Sequence, residues 1–240
     1  MNNQCRYGER GLSLVELMIA MTIGLILLAG VYQVFISSSL SYKYQEDISR
    51  LQENARMAMD QLAQDVRQAG SPRFSTNAGQ TFAVASGGAA PVTTGASGGT
   101  ASDTIAVAYL NDAGIVEQVS YAVNGNLELT RQTQVGAALP SGFQPIVDGV
   151  ENMQIAYGVD QNNDDSIDAY VATPGAGDNM VSVRIRLLMR TINEQPKADL
   201  DTRLYDVDGD AAGVQEVDPV DDRRMRQIFT TTITLRNRLR

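Results

Sequence analysis

The 240-residue chain has no histidine, no tryptophan and a single cysteine, Cys5. Without imidazole there is no Ser-His-Asp or Cys-His nucleophilic pair, no two-histidine metalloprotease site and no histidine-ligated zinc or haem. One cysteine makes neither an internal disulfide nor a thiolate metal cage. Positive charge is also scarce: 19 Lys+Arg face 28 Asp+Glu, a net charge of −9. That balance argues against a nucleic-acid partner, which requires a basic stripe to displace counterions from phosphates. What remains is 43% hydrophobic and 20% charged, a globular composition.

The distribution is uneven. The opening MNNQCRYGERG is polar, and from Leu17 to Tyr42 no charged residue occurs. Leu17 to Ile36 supplies 20 consecutive residues, mostly apolar, about the ~20 a helix needs to cross a bilayer core. The basic leader predicts that the N-terminus stays cytoplasmic and the rest lies outward. No small-x-small cleavage site closes the run, as a secretory signal would require. Instead the polar-to-apolar junction reads Gly11-Leu12-Ser13-Leu14-Val15-Glu16. A carboxylate at the mouth of an apolar segment costs roughly 2.5–3.5 kcal/mol on insertion scales and asks for a partner.

GLSLVELMIAM resembles the class III signal of type IV prepilins and pseudopilins. The resemblance implies that a prepilin peptidase cuts between Gly11 and Leu12, that Leu12 becomes an N-methylated end residue, and that Glu16 pairs with the positive N-terminus of a neighbouring subunit. Leu12 stands where the family usually has Phe. The plain alternative is an uncleaved signal anchor.

Beyond the apolar run the sequence turns amphipathic. Ile48, Leu51, Ala55, Met59, Leu62, Val66 and Ala69 recur at steps of three and four, and Glu46, Asp47, Arg50, Glu53, Arg56, Asp60, Asp65 and Arg67 take the remainder. No proline interrupts Ser13 to Ala69, and Gly70 with Pro72 supplies a stop. One continuous helix is predicted, with Gly24 and Gly30 as points of local melting or of close helix packing. The stripe fits packing on a sheet better than a coiled-coil dimer, because β-type sequence follows it.

At least six strands are predicted: Thr104 to Leu110, Ile115 to Val123, a return from Leu127 through Leu129, and alternating runs at Met153 to Val159, Val181 to Met189 and Phe229 to Leu235. Asn124-Gly125 predicts a type I′ hairpin turn. Ser86 to Asp103 reads as a surface loop. The expected fold is α+β: a long N-terminal helix, membrane-spanning in its first half, packed on antiparallel β-sheet. The expected divisions are a leader (1–11), an apolar assembly helix (12–42), its amphipathic continuation (43–70) and a β-rich globular domain (71–240).

Val150 to Asp160 and Arg223 to Arg238 look like the PilW family of minor type IV pilins. The resemblance implies a low-abundance subunit, inserted in the inner membrane and then carried in a surface pilus at or near the tip. Its implied partners are prepilin peptidase, other minor pilins, the major pilin and a tip adhesin. J-type minor pseudopilins of type II secretion share this layout and form the alternative. A membrane-anchored periplasmic enzyme is the remote one, since only scattered Asp, Ser and Tyr are there to do chemistry.

Two charged features stand apart. Asp160, Asn162, Asp164, Ser166 and Asp168 fall at the spacing of an EF-type calcium loop, although Asp165 replaces the turn glycine and Val171 the bidentate glutamate. A further ligand would have to come from Asp206, Asp208 or Asp210. The alternative is an acidic turn whose side chains bond their own backbone. Asp199 to Asp222 holds nine acidic residues and one arginine, whereas Arg223 to Arg240 holds six arginines and no acid. This reads either as complementary faces toward neighbouring subunits or as solvated flanks of a strand.

Overall fold

The computed structural model describes residues 13–69, 101–110, 113, 115–162, 164, 166–174, 179–195, 199–207, 209, 216–217 and 221–235. The chain divides into two compact units, Met1–Glu46 and Asp47–Arg240. Helix α1 runs from Leu14 to Gln68 without a break at Gly24 or Gly30. Ser13 accepts the amide of Leu17 at 3.1 Å, Glu16 lies in the first turn and Arg67 in the last, as the helix dipole favours. In the first unit the hydroxyls of Thr22 and Ser41 bond back to the carbonyls of Met18 and Ser37, so they are satisfied without solvent. The terminator residues Gly70 and Pro72, and most of the Ser86–Asp103 segment, lie outside the described residues.

In the second unit the helix buries Leu51, Ala55, Ala58, Leu62, Ala63, Val66 and Ala69, while Ile48 and Met59 are half-buried. The alanines bring the helix backbone close to what it packs on. Asp47 and Asp65, which the periodicity assigns to the polar face, are instead buried, and each has found partners far along the chain.

The sheet forms as two antiparallel four-stranded layers. Strands β1 (Ile105–Leu110), β2 (Val116–Val123), β3 (Glu128–Val135) and β4 (Gln144–Asp148) follow one another in space as in sequence. Strands β5 (Val150–Asp160), β6 (Ala169–Val171), β7 (Asn179–Arg190) and β10 (Arg226–Thr234) make the second layer, in the order β10-β7-β5-β6. A short pair, β8 (Tyr205–Asp206) with β9 (Glu216–Val217), stands apart. The chain passes between the layers at Gly149, whose φ is +81° and where a Cβ would come within 2.7 Å of the Arg190 carbonyl. Only glycine fits both demands.

Alternation then does what a pleated strand requires. Met153, Ile155, Tyr157 and Val159 of β5, with Val183, Ile185, Leu187 and Met189 of β7, point into one core together with Leu62, Val66 and Tyr121. The β2–β3 hairpin is present but differs from the expected turn. Leu127 donates to the carbonyl of Asn124, and the left-handed residue is Leu127 (φ 61°) rather than Gly125. The Asn124 side chain explains the preference: its Oδ1 accepts the amides of Asn126 and Glu128 at 2.9 and 3.0 Å, closing a four-residue loop.

Candidate assembly surface and buried polar network

The first unit presents an apolar cylinder. Nearly every residue from Ser13 to Glu46 is exposed, and none of the helix's most apolar eighteen-residue stretch is buried. Glu16 is exposed in the first turn, and no other charged residue occurs from Ser13 to Tyr42. Gly11 and Leu12 lie outside the described residues. Such a surface is stable only in lipid or against other apolar helices, and one carboxylate near its end gives a contact there both a charge and a register.

The second unit holds its helix by two buried carboxylates. Asp47 accepts from Asn193 Nδ2 at 2.9 Å and Gln195 Nε2 at 2.6 Å. Asp65 accepts from the Tyr121 hydroxyl at 2.5 Å and from Arg131 Nε at 3.0 Å, which ties the helix to β2 and β3. Burial and the bond to Asp65 push the Tyr121 phenol well above its ordinary range, so it stays a donor at any physiological pH.

The segregated charges meet inside the domain. Arg226, whose side chain is fully buried, reaches Glu151 through Nε at 2.7 Å and Nη2 at 3.0 Å, Asp222 at 2.9 Å and Asp201 at 3.3 Å. Arg190 adds a second cation, 3.2 Å from Glu151 and 3.8 Å from Asp222. Burial alone would raise the Asp201 carboxyl, but bonds from Arg203 and Tyr205 outweigh it and hold it down at about 2. Part of the acidic segment is therefore neutralised by the arginines that follow it, an outcome between the two readings of the sequence.

Asp103 is the opposite case. Although at the end of the expected loop, it is buried, its amide bonds to the Met153 carbonyl and its Oδ2 accepts the Ile155 amide at 2.9 Å. Burial, only partly countered by that bond, lifts its pKa from 3.8 to about 6. The folded state thus binds the proton more tightly than the unfolded state. The contribution of Asp103 to stability is full below about pH 4, falls as pH rises to about 6 and is absent above it. Asp103→Asn keeps the acceptor for Ile155 and removes the charge. It is expected to stabilise the protein at pH 7 by roughly 1–2 kcal/mol and to flatten the pH 4–6 slope of the urea midpoint. An unchanged slope would exclude this origin.

The acidic loop folds on itself. Asp160 accepts the amides of Asn162 and Asp164 and the Asn179 side chain, Asp168 accepts the amides of Gln161 and Asn162, and Asp164 accepts that of Ser166. The structure brings Asp160, Asn162, Asp164 and Asp168 together, but their oxygens serve backbone amides. Among the described residues no group of three acidic side chains is placed to hold a metal ion. Asp206 accepts from its own turn, at Gly209, and Asp208 and Asp210 are outside the described residues. The bonds present are those of a turn closed by Asx interactions.

Residues 117–237, half of the chain, match the family model of Type IV Pilus-assembly protein W. The chain belongs to the PilW family. Residues 6–32 of this PilW-family chain match the prokaryotic N-terminal methylation motif. Its fold is similar to that of a type IV-like pilin from Thermus thermophilus, with a TM-score of 0.53 and 18% identity, covering 80% of this chain and all of that one. No curated protein matches the PilW-family chain. Long helix, antiparallel sheets and signal together make it a type IV pilin-like protein.

Proposed function

We propose that this PilW-family chain is a minor type IV pilin. It is inserted in the inner membrane with its N-terminus cytoplasmic and its globular domain periplasmic, cut between Gly11 and Leu12, and methylated on Leu12. It is then incorporated at or near the pilus tip, where it helps to initiate assembly with other minor pilins. The observation that carries the proposal is the pairing of a fully exposed, uncharged helix half with one carboxylate, Glu16, in its first turn. Membrane or fibre must cover such a surface. Glu16 is then assigned to the positive N-terminus of a neighbouring subunit, a pairing strengthened by the low dielectric around it.

The test separates the steps. Gly11→Ala is expected to leave the leader uncut and the protein absent from sheared fibres. Glu16→Ala is expected to be cut normally and yet fall at least tenfold in the fibre fraction. Normal processing of Gly11→Ala would refute the proposal. Cross-linking the wild-type chain in whole cells is expected to recover pilins, and recovery of secretion-system pseudopilins alone would assign it to type II secretion.

A further inference from the structure

Strand β5 is eleven residues long, and its two edges are filled differently. Strand β7 pairs along it from Val150 to Asp160, with register shifts near both ends, whereas β6 on the other side reaches only from Tyr157 to Val159. The remaining edge is closed by residues 101–103, which precede β1 and belong to no strand. Asp103 donates its amide to the Met153 carbonyl at 2.7 Å, and its Oδ2 accepts the Ile155 amide at 2.9 Å. The Met153 amide donates to the Ser102 hydroxyl at 3.0 Å, and Gln154 Nε2 to the Ala101 carbonyl at 2.8 Å. Two side chains thus stand where a neighbouring strand would offer carbonyl oxygens.

A carboxylate in that role couples the seat to a proton. Asp103 is buried, and among the described residues the Ile155 amide is the one donor to its carboxyl. A neutral acid makes that bond at little cost, whereas the anion gives up its water for a single donor. No cation offsets the loss among the described residues: burial raises Asp103, and the Ile155 bond is the counterweight. The Tyr157 phenol of β5 is the titratable group that feels its charge. Burial and Asp103 hold that phenol above its ordinary range, so it stays neutral, and its buried hydroxyl has no hydrogen-bond partner among the described residues. Charges on the surrounding elements are engaged elsewhere. Asp65 of α1 pairs with Arg131 of β3 and Tyr121 of β2, Glu117 of β2 with Tyr109 of β1, Glu151 of β5 with Arg226, and Arg184 of β7 stacks on Tyr170.

We propose that residues 101–103 are a proton-dependent latch on β5, held while Asp103 keeps its proton and lifting increasingly often as Asp103 loses it. Lifting returns the carboxylate to water and bares the backbone of Met153 and Ile155, an open strand edge between β6 and the crossing at Gly149. Strand β1 stays in place, because Ile105 and Val107 just beyond the latch are fixed in the core. Acid therefore seals the edge, and neutral pH loosens it. The sign follows from burial: the seated form binds the proton more tightly than the lifted one.

Residue-resolved amide exchange on the full chain in mild detergent, corrected for intrinsic rates, tests the latch. The amides of Met153 and Ile155 donate to it, whereas those of Gln154 and Ala156 face β7. Protection of Met153 and Ile155 is expected to fall about tenfold from pH 5 to pH 8, the factor that linkage assigns to a carboxyl moved from 3.8 to about 6. Low urea is expected to leave those two amides unchanged while it accelerates Gln154 and Ala156, because lifting three residues exposes little surface. Asp103→Asn keeps the acceptor for Ile155 and is expected to shrink the pH effect to under about twofold. If that variant fails to fold, Ser102→Ala serves. It removes one bond of the latch and keeps the carboxyl, so exchange at Met153 is expected to rise about fivefold at both pH values. Protection that is flat with pH, equal urea dependence at all four amides, a pH effect that survives in Asp103→Asn, or no rise in Ser102→Ala would each overturn the proposal.

Discussion

Arg226→Ala is expected to destabilise the globular domain by about 3–5 kcal/mol, because it removes the central cation from a buried cluster and leaves its anions behind. Glu151 loses a two-pronged partner, Asp201 and Asp222 each lose one, and Arg190 reaches only Glu151 and Asp222. Arg226→Lys restores the charge but not the fork geometry, and is expected to recover only part of the loss. Urea unfolding followed by tyrosine fluorescence reads both, since the chain has nine tyrosines and no tryptophan to mask them. A loss under 1 kcal/mol for the alanine variant would mean that solvent already screens the cluster. Asp201 in this cluster also makes the fold sensitive to acid. Asp201, held at about 2 in the folded state, contributes stability above its unfolded pKa of 3.8, and that contribution disappears as pH falls toward 2.

Asp65→Ala is expected to cost about 2–4 kcal/mol. The Tyr121 hydroxyl loses its acceptor in the core, and Arg131 loses its anion. Asp65→Asn retains an oxygen for Tyr121 and is expected to cost less than half as much. The sensitive readout is local: amide exchange in residues 58–69 is expected to accelerate more than exchange in β7 if the helix end undocks before the sheet opens. Uniform acceleration through both elements would place Asp65 in the global core instead.

The sequence was informative where a signal is local. The apolar run and the stripe from Leu51 to Val66 identify one helix, and period-two alternation exposes β5 and β7 because the middle of each, Met153 to Tyr157 and Val183 to Leu187, buries every second residue. Strands β4, β6, β8 and β9 escape that reading. They are two to five residues long, and β4 opens with Gln-Pro, so no alternation can accumulate. Asp47 and Asp65 look like surface residues because the groups that make burial tolerable lie in other elements: Asn193 and Gln195 for the first, Tyr121 and Arg131 for the second. The buried arginine cluster is hidden for the same reason, since Glu151 and Arg226 meet only after β5, β7 and β10 have aligned. The acidic loop reads two ways from sequence, because Asn and Asp at alternate positions suit both an EF-type calcium pattern and a chain turning on its own amides.

The two carboxylates on α1 also fix how the domain answers a pull. Asp47 and Asp65 are eighteen residues apart, which is five whole turns and about 27 Å, so both point to the same side of the helix. One grips the segment after β7 and the other the first layer. A force along the helix axis cannot peel these attachments one after the other; it must shear both at once, together with the alanine-lined contact between them. Under tension, two ordinary buried side chains therefore act as paired rivets.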